Sequence, residues 1–330
     1  MRNTIRRVKR RVTGDTGTVR TDGGTATATE SSSRSGLRAY LGEDFVGSLP
    51  FWLPPFLLMG FFVYGAIGWN FIISLTDYQG FGSVDYGHLD FEMYTQAFND
   101  PGFISATVHT FVLLLAFTGA CLVVGLVMAI LVDRKIRFEN TFRTIYLLPF
   151  SLSFVVTAQF WLWMYNYQNG IVNIVLRTFG LGQYQWIGDP QLVLGAVVFA
   201  LVWQFSGYAM VVYLAALRAI PTEHYEAAKV DGASTLRMYW RVIIPQLKNA
   251  VISAAVVLMV FALKAFDFLY SLVGGFLPPN GSDILATKMV REAFRNQHWA
   301  YGSAIAIMLF LLALGIIGPY LINQYRHGNL

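Results

Sequence analysis

Six long apolar runs divide this chain, and nearly all of its charged residues fall between them. The runs cover approximately residues 50–75, 105–132, 144–166, 191–217, 249–273 and 301–323. A bilayer core of roughly 30 Å asks for about 20 apolar residues per helix, so each run is long enough to cross it. The pattern predicts an all-α membrane protein with six transmembrane helices. Pro54, Pro55, Gly119, Gly125, Pro149 and Gly207 lie within the runs. Spanning helices accept such residues because neighbouring helices and waters re-satisfy the backbone.

One polar stretch stands out. "IPTEHYEAAKVDGASTLRMYWRVIIPQL", Ile220 to Leu247, is charged and helical in pattern, yet it joins the fourth run to the fifth. Pro221 suits the residue at or just before a helix start, since its φ is preset and a missing N–H costs nothing there. "TEHYEAAKV" then reads as a short helix. Asp231 and Gly232 end it, and Ser234 can cap a second helix that runs to Pro245, where the chain turns into the fifth run. On the first helix Ala227 and Ala228 form a flat surface of small residues, with Glu226 beside it. A carboxylate there could pair with an arginine of a soluble partner and set register. The alternative is an amphipathic connector on the lipid surface, for which Lys229, Arg237 and Arg241 would suit anionic headgroups.

Composition agrees with the membrane reading: 55% of residues are hydrophobic, 13% are charged, and mean hydropathy is +0.50. The net charge of +5 does not indicate nucleic acid, because the basic residues are distributed by membrane side. Nine Lys and Arg precede residue 46, four lie in 133–143, five in 218–248, and Arg326 follows the sixth run. The other side has Arg177, Lys288, Arg291 and Arg295. The imbalance predicts that both termini are cytoplasmic. The 76–103 loop, with Asp77, Asp85, Asp90, Glu92, Asp100 and no Lys or Arg, then lies outside.

Residues 1–45 are too poor in large apolar side chains to build a core and read as a disordered basic tail; 46–330 form the six-span domain. Arg2, Arg6, Arg7, Lys9, Arg10 and Arg11 suggest a loose contact with anionic lipid. No signal peptide is expected, because the first run is longer than an h-region and lacks a small-residue cleavage site. Cys121, alone in an apolar run, reads as a small buried hydrophobe.

"EAAKVDGA" (Glu226–Ala233), with "IIP" (Ile243–Pro245) following eleven residues after Gly232, resembles the EAA loop of permease subunits of ATP-binding-cassette (ABC) importers. "LRAIPTEHY", "LKAFDFLYSLVGG" and "REAFRNQHWAYGSAIAIMLF" are similar to the carbohydrate-uptake branch, the maltose- and glycerol-3-phosphate-type permeases. The similarity covers about residues 46–325. It implies the type I importer permease fold in a cell membrane. It also implies a coupling loop at about 221–245 that docks into an ATPase subunit. In that loop Glu226 would pair across the interface, Ala227 and Ala228 would make the close contact, and Gly232 the turn. Asp231, Ile243 and Pro245 complete the motif. The implied partners are a pair of ATPase subunits, a second permease, in this branch commonly a different chain, and an extracellular solute-binding protein. The implied function is sugar import driven by ATP and Mg held on the partner. One departure is that Phe276 follows Gly274-Gly275 where the branch usually has Gly-Pro, which implies an external loop of different shape.

The chain has no Walker A lysine followed by Ser or Thr, no HExxH and no G-x-S-x-G. No catalytic residue, metal site or bound cofactor is expected. Asn280-Gly281-Ser282 matches a glycosylation sequon, a pattern common by chance. Polar residues inside apolar runs are costly and mark cavities or helix contacts. Gln159, Trp163, Asn166, Gln204, Tyr208, Lys264, Asp267 and Tyr270 are therefore candidates for a solute pathway, since amides and carboxylates bridge sugar hydroxyls and aromatic faces pack on the ring. Alternatively the Trp and Tyr mark the membrane interface, and Lys264 and Asp267 neutralise each other on one helix. Two rival readings are a gradient-driven transporter, which would show internal repeats, and a membrane-embedded enzyme, which would cluster reactive side chains at one depth.

Overall fold

The computed structural model describes residues 43–133, 138–279 and 281–326, and their regular secondary structure is helical throughout. Most of the basic tail lies outside these residues, as do Arg134, Lys135, Arg137 and Asn280 of the sequon. By its internal contacts the chain divides after Gly60.

Helix α1 (Glu43–Ile73) carries Pro50, Pro54 and Pro55, and its Phe51, Phe56, Leu57, Phe61 and Phe62 are exposed. A helix that is apolar all round with almost no buried face suits lipid or another chain. After α2 (Glu92–Asn99) comes α3 (Pro101–Asp133). Pro101 fits the first helical position, and the Asp100 carboxylate accepts the Gly102 N–H at 2.7 Å.

The third run does not form one straight helix. Helix α4 (Glu139–Leu147) passes into a 3-10 turn (Leu148–Ser151) and then α5 (Phe154–Met164), with a bend of 100°. Pro149 has no N–H to donate, and Leu152 adopts an extended ψ of 147°. Ser153 restarts the helix by accepting the Val156 N–H at 3.3 Å. The chain continues through α6 (Ile171–Thr178) to α7 (Val193–Ala219).

Beyond α7 lie α8 (Thr222–Val230), α9 (Thr235–Met238), a π-helical turn (Tyr239–Ile243), α10 (Ile244–Gln246) and α11 (Lys248–Leu263). The turn toward the membrane comes at Leu247, two residues after Pro245, with a 68° bend between Thr235–Gln246 and α11. The fifth run is also interrupted: α11 ends at Leu263, and α12 (Phe266–Val273) starts after Ala265. Lys264, at the C-cap of α11, therefore stands outside the helix that carries Asp267, with no ion pair between them among the described residues. After α13 (Leu285–Val290) and a second π-helical turn (Arg291–Arg295), α14 (Trp299–Arg326) completes the chain. Among the described residues four helices are individually long and apolar enough to cross a membrane, and the count reaches six if each bent pair is one span.

The core is the seam between α3 and α7. Buried residues recur every four positions on both helices: Leu113, Phe117, Cys121, Gly125 and Ala129 on one, Val197, Leu201, Phe205, Ala209 and Tyr213 on the other. Lipid is as apolar as Leu, so helices in it associate by close packing of small residues. A Cβ on Gly125 would lie 2.6 Å from the Ala209 Cβ, and one on Gly207 would lie 2.4 Å from the Tyr146 carbonyl oxygen. Neither position has room for a methyl group. Cys121 is free and buried there.

A charged cluster ties the segment before α14 to the start of α3. Lys288 Nζ, its side chain 6% exposed, lies 2.8 Å from Asp100 Oδ2 and 3.5 Å from Glu292 Oε1. Tyr301 Oη donates to Asp100 Oδ2 at 2.8 Å, and Arg291 pairs with Asp283 at 2.5 Å. Burial raises the Asp100 pKa, but bonds from Lys288, Tyr301 and the Gly102 amide outweigh it and hold the carboxyl below 3.8.

Candidate functional site

The polar segment between α7 and α11 is a braced helix pair. Pro221 stands at the N-cap of α8, and the helix ends in a Schellman arrangement. The Ala233 N–H donates to the Ala228 carbonyl at 3.0 Å and the Gly232 N–H to the Lys229 carbonyl at 3.0 Å. Gly232 adopts φ +72°, the left-handed region that favours glycine. Ser234 caps α9 by accepting the Arg237 N–H at 3.4 Å.

Only one face of this pair is held from within. Ala228 is buried, and Tyr225 packs its ring edge on Tyr239 with centroids 6.4 Å apart. Tyr239 Oη reaches Asp133 at the end of α3, 3.4 Å away, and Gln246 Nε2 lies 3.4 Å from His224 Nδ1. Arg218 at the end of α7 pairs with Glu139 at the start of α4. The Tyr225 hydroxyl is buried with no partner among the described residues, and burial, with Asp133 and Tyr239 nearby, pushes its pKa up to about 12.

The opposite face is open. Glu226, Ala227, Asp231 and Gly232 are exposed, while Ile243 is fully buried and Pro245 lies exposed in α10. Val230, Leu236 and Trp240 are 87%, 80% and 72% exposed. Three large apolar side chains on a segment outside the spans form a surface suited to another chain. In the sequence Leu236 and Trp240 stand out only as an i, i+4 apolar pair beside Arg237 and Arg241.

The structure brings two of the intramembrane candidates to one cavity. Gln204 and Asp267 line a hollow of about 320 Å³ walled by Phe150, Phe154, Phe205 and Phe261. Gln204 is 2% exposed; its Nε2 donates to the Leu152 carbonyl at 2.7 Å, at the break of the bent span, and its Oε1 has no partner among the described residues. Asp267 also lacks a side-chain partner there. Tyr208 stacks on Phe150 with ring centroids 5.5 Å apart. A carboxylate, an unpaired amide oxygen and aromatic walls can hold a polyhydroxylated ring.

The other candidates lie elsewhere. Gln159 donates to the Ser271 carbonyl at 2.8 Å and so ties α5 to α12. Asn166 caps a turn by accepting the Gln168 and Asn169 N–H groups, and Trp163 is 76% exposed. Tyr270 packs on Phe266 and Phe276, and Lys264 is exposed at the end of α11. The four phenylalanines of the cavity were not singled out from sequence, because a Phe in an apolar run reads equally as lipid-facing.

Bent spans around a polar-edged cavity, with a capped helix pair held outside them, are the features of a multi-span transport protein. Residues 121–325 match the family described as binding-protein-dependent transport system inner membrane component, and the chain belongs to that family. It is 60% identical to the xylose/arabinose import permease protein XacH of Haloferax volcanii over 296 residues, which is 90% of this chain and 93% of that one. Identity to a probable ABC transporter permease of Pyrococcus horikoshii is 46%, over 84% of this chain and 94% of the other. Its fold resembles a chain of the bacterial alginate ABC transporter, at 21% identity and a TM-score of 0.72, covering 88% of this chain and 97% of that one. The protein is thus a permease subunit of an ABC importer, resident in the membrane.

Proposed function

We propose that the solute is a sugar and that it pauses in the cavity of Gln204 and Asp267. The observation that carries this reading is the pairing of an unpartnered, buried amide oxygen with a free carboxylate between aromatic walls. The relative from Haloferax volcanii is described as importing xylose and arabinose, and pentoses are the first solutes to try.

We further propose that the segment from Pro221 to Pro245 is the coupling loop, with Glu226 meeting a cation on an ATPase subunit and Val230, Leu236 and Trp240 filling its cleft. This reading draws on the EAA resemblance and on an exposed apolar face next to a carboxylate. ATP and Mg then belong to the ATPase pair. A second permease, commonly a different chain, and an external binding protein complete the assembly, with both termini of this chain cytoplasmic. ATP and delivered solute favour the outward-open packing only through their higher affinity for it. The bends at Leu152 and Leu247 are where such a change is absorbed with least disruption of helix.

The test is to purify the chain with its partners and measure ATP hydrolysis against a panel of sugars delivered by the binding protein. Stimulation by one sugar, lost in Asp267→Asn and Gln204→Leu while basal hydrolysis persists, is the expected result. Unchanged stimulation in both variants would remove the cavity from the solute pathway. A chain that moves solute with no ATPase present would overturn the importer mechanism.

A further inference from the structure

A second, larger hollow lies away from both proposed sites. It is a groove of about 610 Å³ between the end of α5, helix α6 and the start of α7. Its walls include Trp161, Val172, Leu176, Trp186 and Phe199, and Gln191 is its one polar side chain outside the aromatic rings. By chain order these helix ends lie at the end of the spans away from the coupling segment. A hollow of that size is ample for a ligand, and a wall with a single amide and no charged side chain suits an apolar one better than a sugar.

We infer that this groove holds the hydrocarbon tail of one membrane lipid with an anionic headgroup. Three observations point to that occupant. The groove opens beside Ile171, Val175 and Phe199, which are 56%, 47% and 61% exposed, so it is continuous with surface that faces lipid. Trp163, Tyr167 and Tyr184, all exposed, flank it in the chain, and such residues collect at the level of lipid headgroups. Arg177, in the last turn of α6, is the only Lys or Arg between Arg143 and Arg218. It donates to the Gln168 carbonyl at 3.2 Å and has no carboxylate partner among the described residues. Arg177 follows Val175 and Leu176, which line the groove, and a lipid phosphate at the groove's edge would give that guanidinium an anionic partner.

Helix α6 is built to form such a wall. Asn173, fully buried, donates to the Tyr167 and Tyr184 carbonyls and accepts from the Tyr184 N–H and the Trp186 indole. One side chain thereby fixes the loop on either side of α6 and holds Trp186 in the groove wall.

Gly195 supplies the test, because it lines the groove and a Cβ there would meet nothing within 4 Å. Gly195→Phe places a ring at the groove from a position where the first side-chain carbon meets nothing, and Gly195→Ala leaves the groove open. Native mass spectrometry of the intact transporter released from its own membrane should find one anionic lipid retained by the wild type and by Gly195→Ala, and none by Gly195→Phe. Arg177→Gln should keep a lipid but lose about fivefold of its preference for an anionic one. As a second readout that does not need the bulky variant, an anionic lipid with a photoreactive tail should label the peptide spanning residues 161–199. Equal lipid retention by all three forms would overturn the inference. So would cross-linking of Val175→Cys to the second permease in place of lipid labelling, which would make the groove a subunit contact.

Discussion

Replacing Gly232 isolates the turn that separates the two helices of the coupling segment. At φ +72° a residue with a Cβ is strained, and because a Cβ would meet nothing within 4 Å, the strain is backbone conformation alone. The left-handed region costs an ordinary residue roughly 1–2 kcal/mol. Alanine recovers part of this by also restricting the opened segment, which leaves about 1 kcal/mol net. That corresponds to about fivefold in the population of the opened turn. Asparagine visits the left-handed region readily, whereas valine is hindered by its branched Cβ. Hydrogen exchange of the amides in 222–234, measured in the assembled transporter, should therefore rise little for Gly232→Asn, about fivefold for Gly232→Ala and most for Gly232→Val. Sugar-stimulated ATP hydrolysis should fall in the same order. If Gly232→Asn exchanges as fast as Gly232→Val, or Gly232→Ala matches the wild type, the turn is not held by its backbone conformation and the reasoning fails.

Three further outcomes are expected. Glu226→Lys should release or uncouple the ATPase subunit while leaving the spans folded; loss of transport with normal docking and coupling would count against the role given to Glu226. Tyr225→Phe should raise thermal stability by about 1 kcal/mol, because it removes a buried hydroxyl without a partner. Since the Tyr225 pKa is raised to about 12, the native state favours the protonated phenol. Wild-type stability is therefore insensitive to this group below pH about 10 and falls as pH rises toward 12, a decline the variant should lack. Lys288→Met should cost about 3 kcal/mol in a melting experiment, the low end for breaking a buried pair, because Asp100 retains 29% side-chain exposure. Asp100 titrates below 3.8, so it contributes stability at higher pH that is lost as pH falls through that lowered value. Without Lys288, acid unfolding should begin at a higher pH.

The long spans were readable because an apolar run of sufficient length has few alternatives, and α3, α7 and α14 follow their runs closely. The third and fifth runs read the same way, yet they bend at Leu152 and break at Lys264. Hydropathy reports how apolar a stretch is, and it says little about where a carbonyl such as that of Leu152 finds a donor in Gln204, 52 residues away. The ends of α8 and α9 were legible for the opposite reason. Gly232 and Ser234 bond backbone groups three residues away, and local chemistry fixes them. The solute candidates fared by the same rule. Gln204 on α7 and Asp267 on α12 line one cavity only because tertiary packing brings those helices together, whereas Asn166 was already committed to its own turn.

The bend in the third run has a consequence for how the chain enters a membrane. The eleven residues of α5, at 1.5 Å each, reach about 16 Å, half of the bilayer core. Neither α4 nor α5 is a span in its own right, and the carbonyl exposed between them at Leu152 is costly in hydrocarbon until it is paired. Its donor, Gln204, is synthesised later and arrives with α7. Residues 139–164 therefore settle only after residues 193–219 have been made. Insertion is then not a sequence of independent helices in chain order: the third segment waits beside the membrane-insertion machinery, or in a provisional position, for the fourth. A nascent chain halted before Gln204 should leave that segment accessible to water, and one released after Ala219 should not.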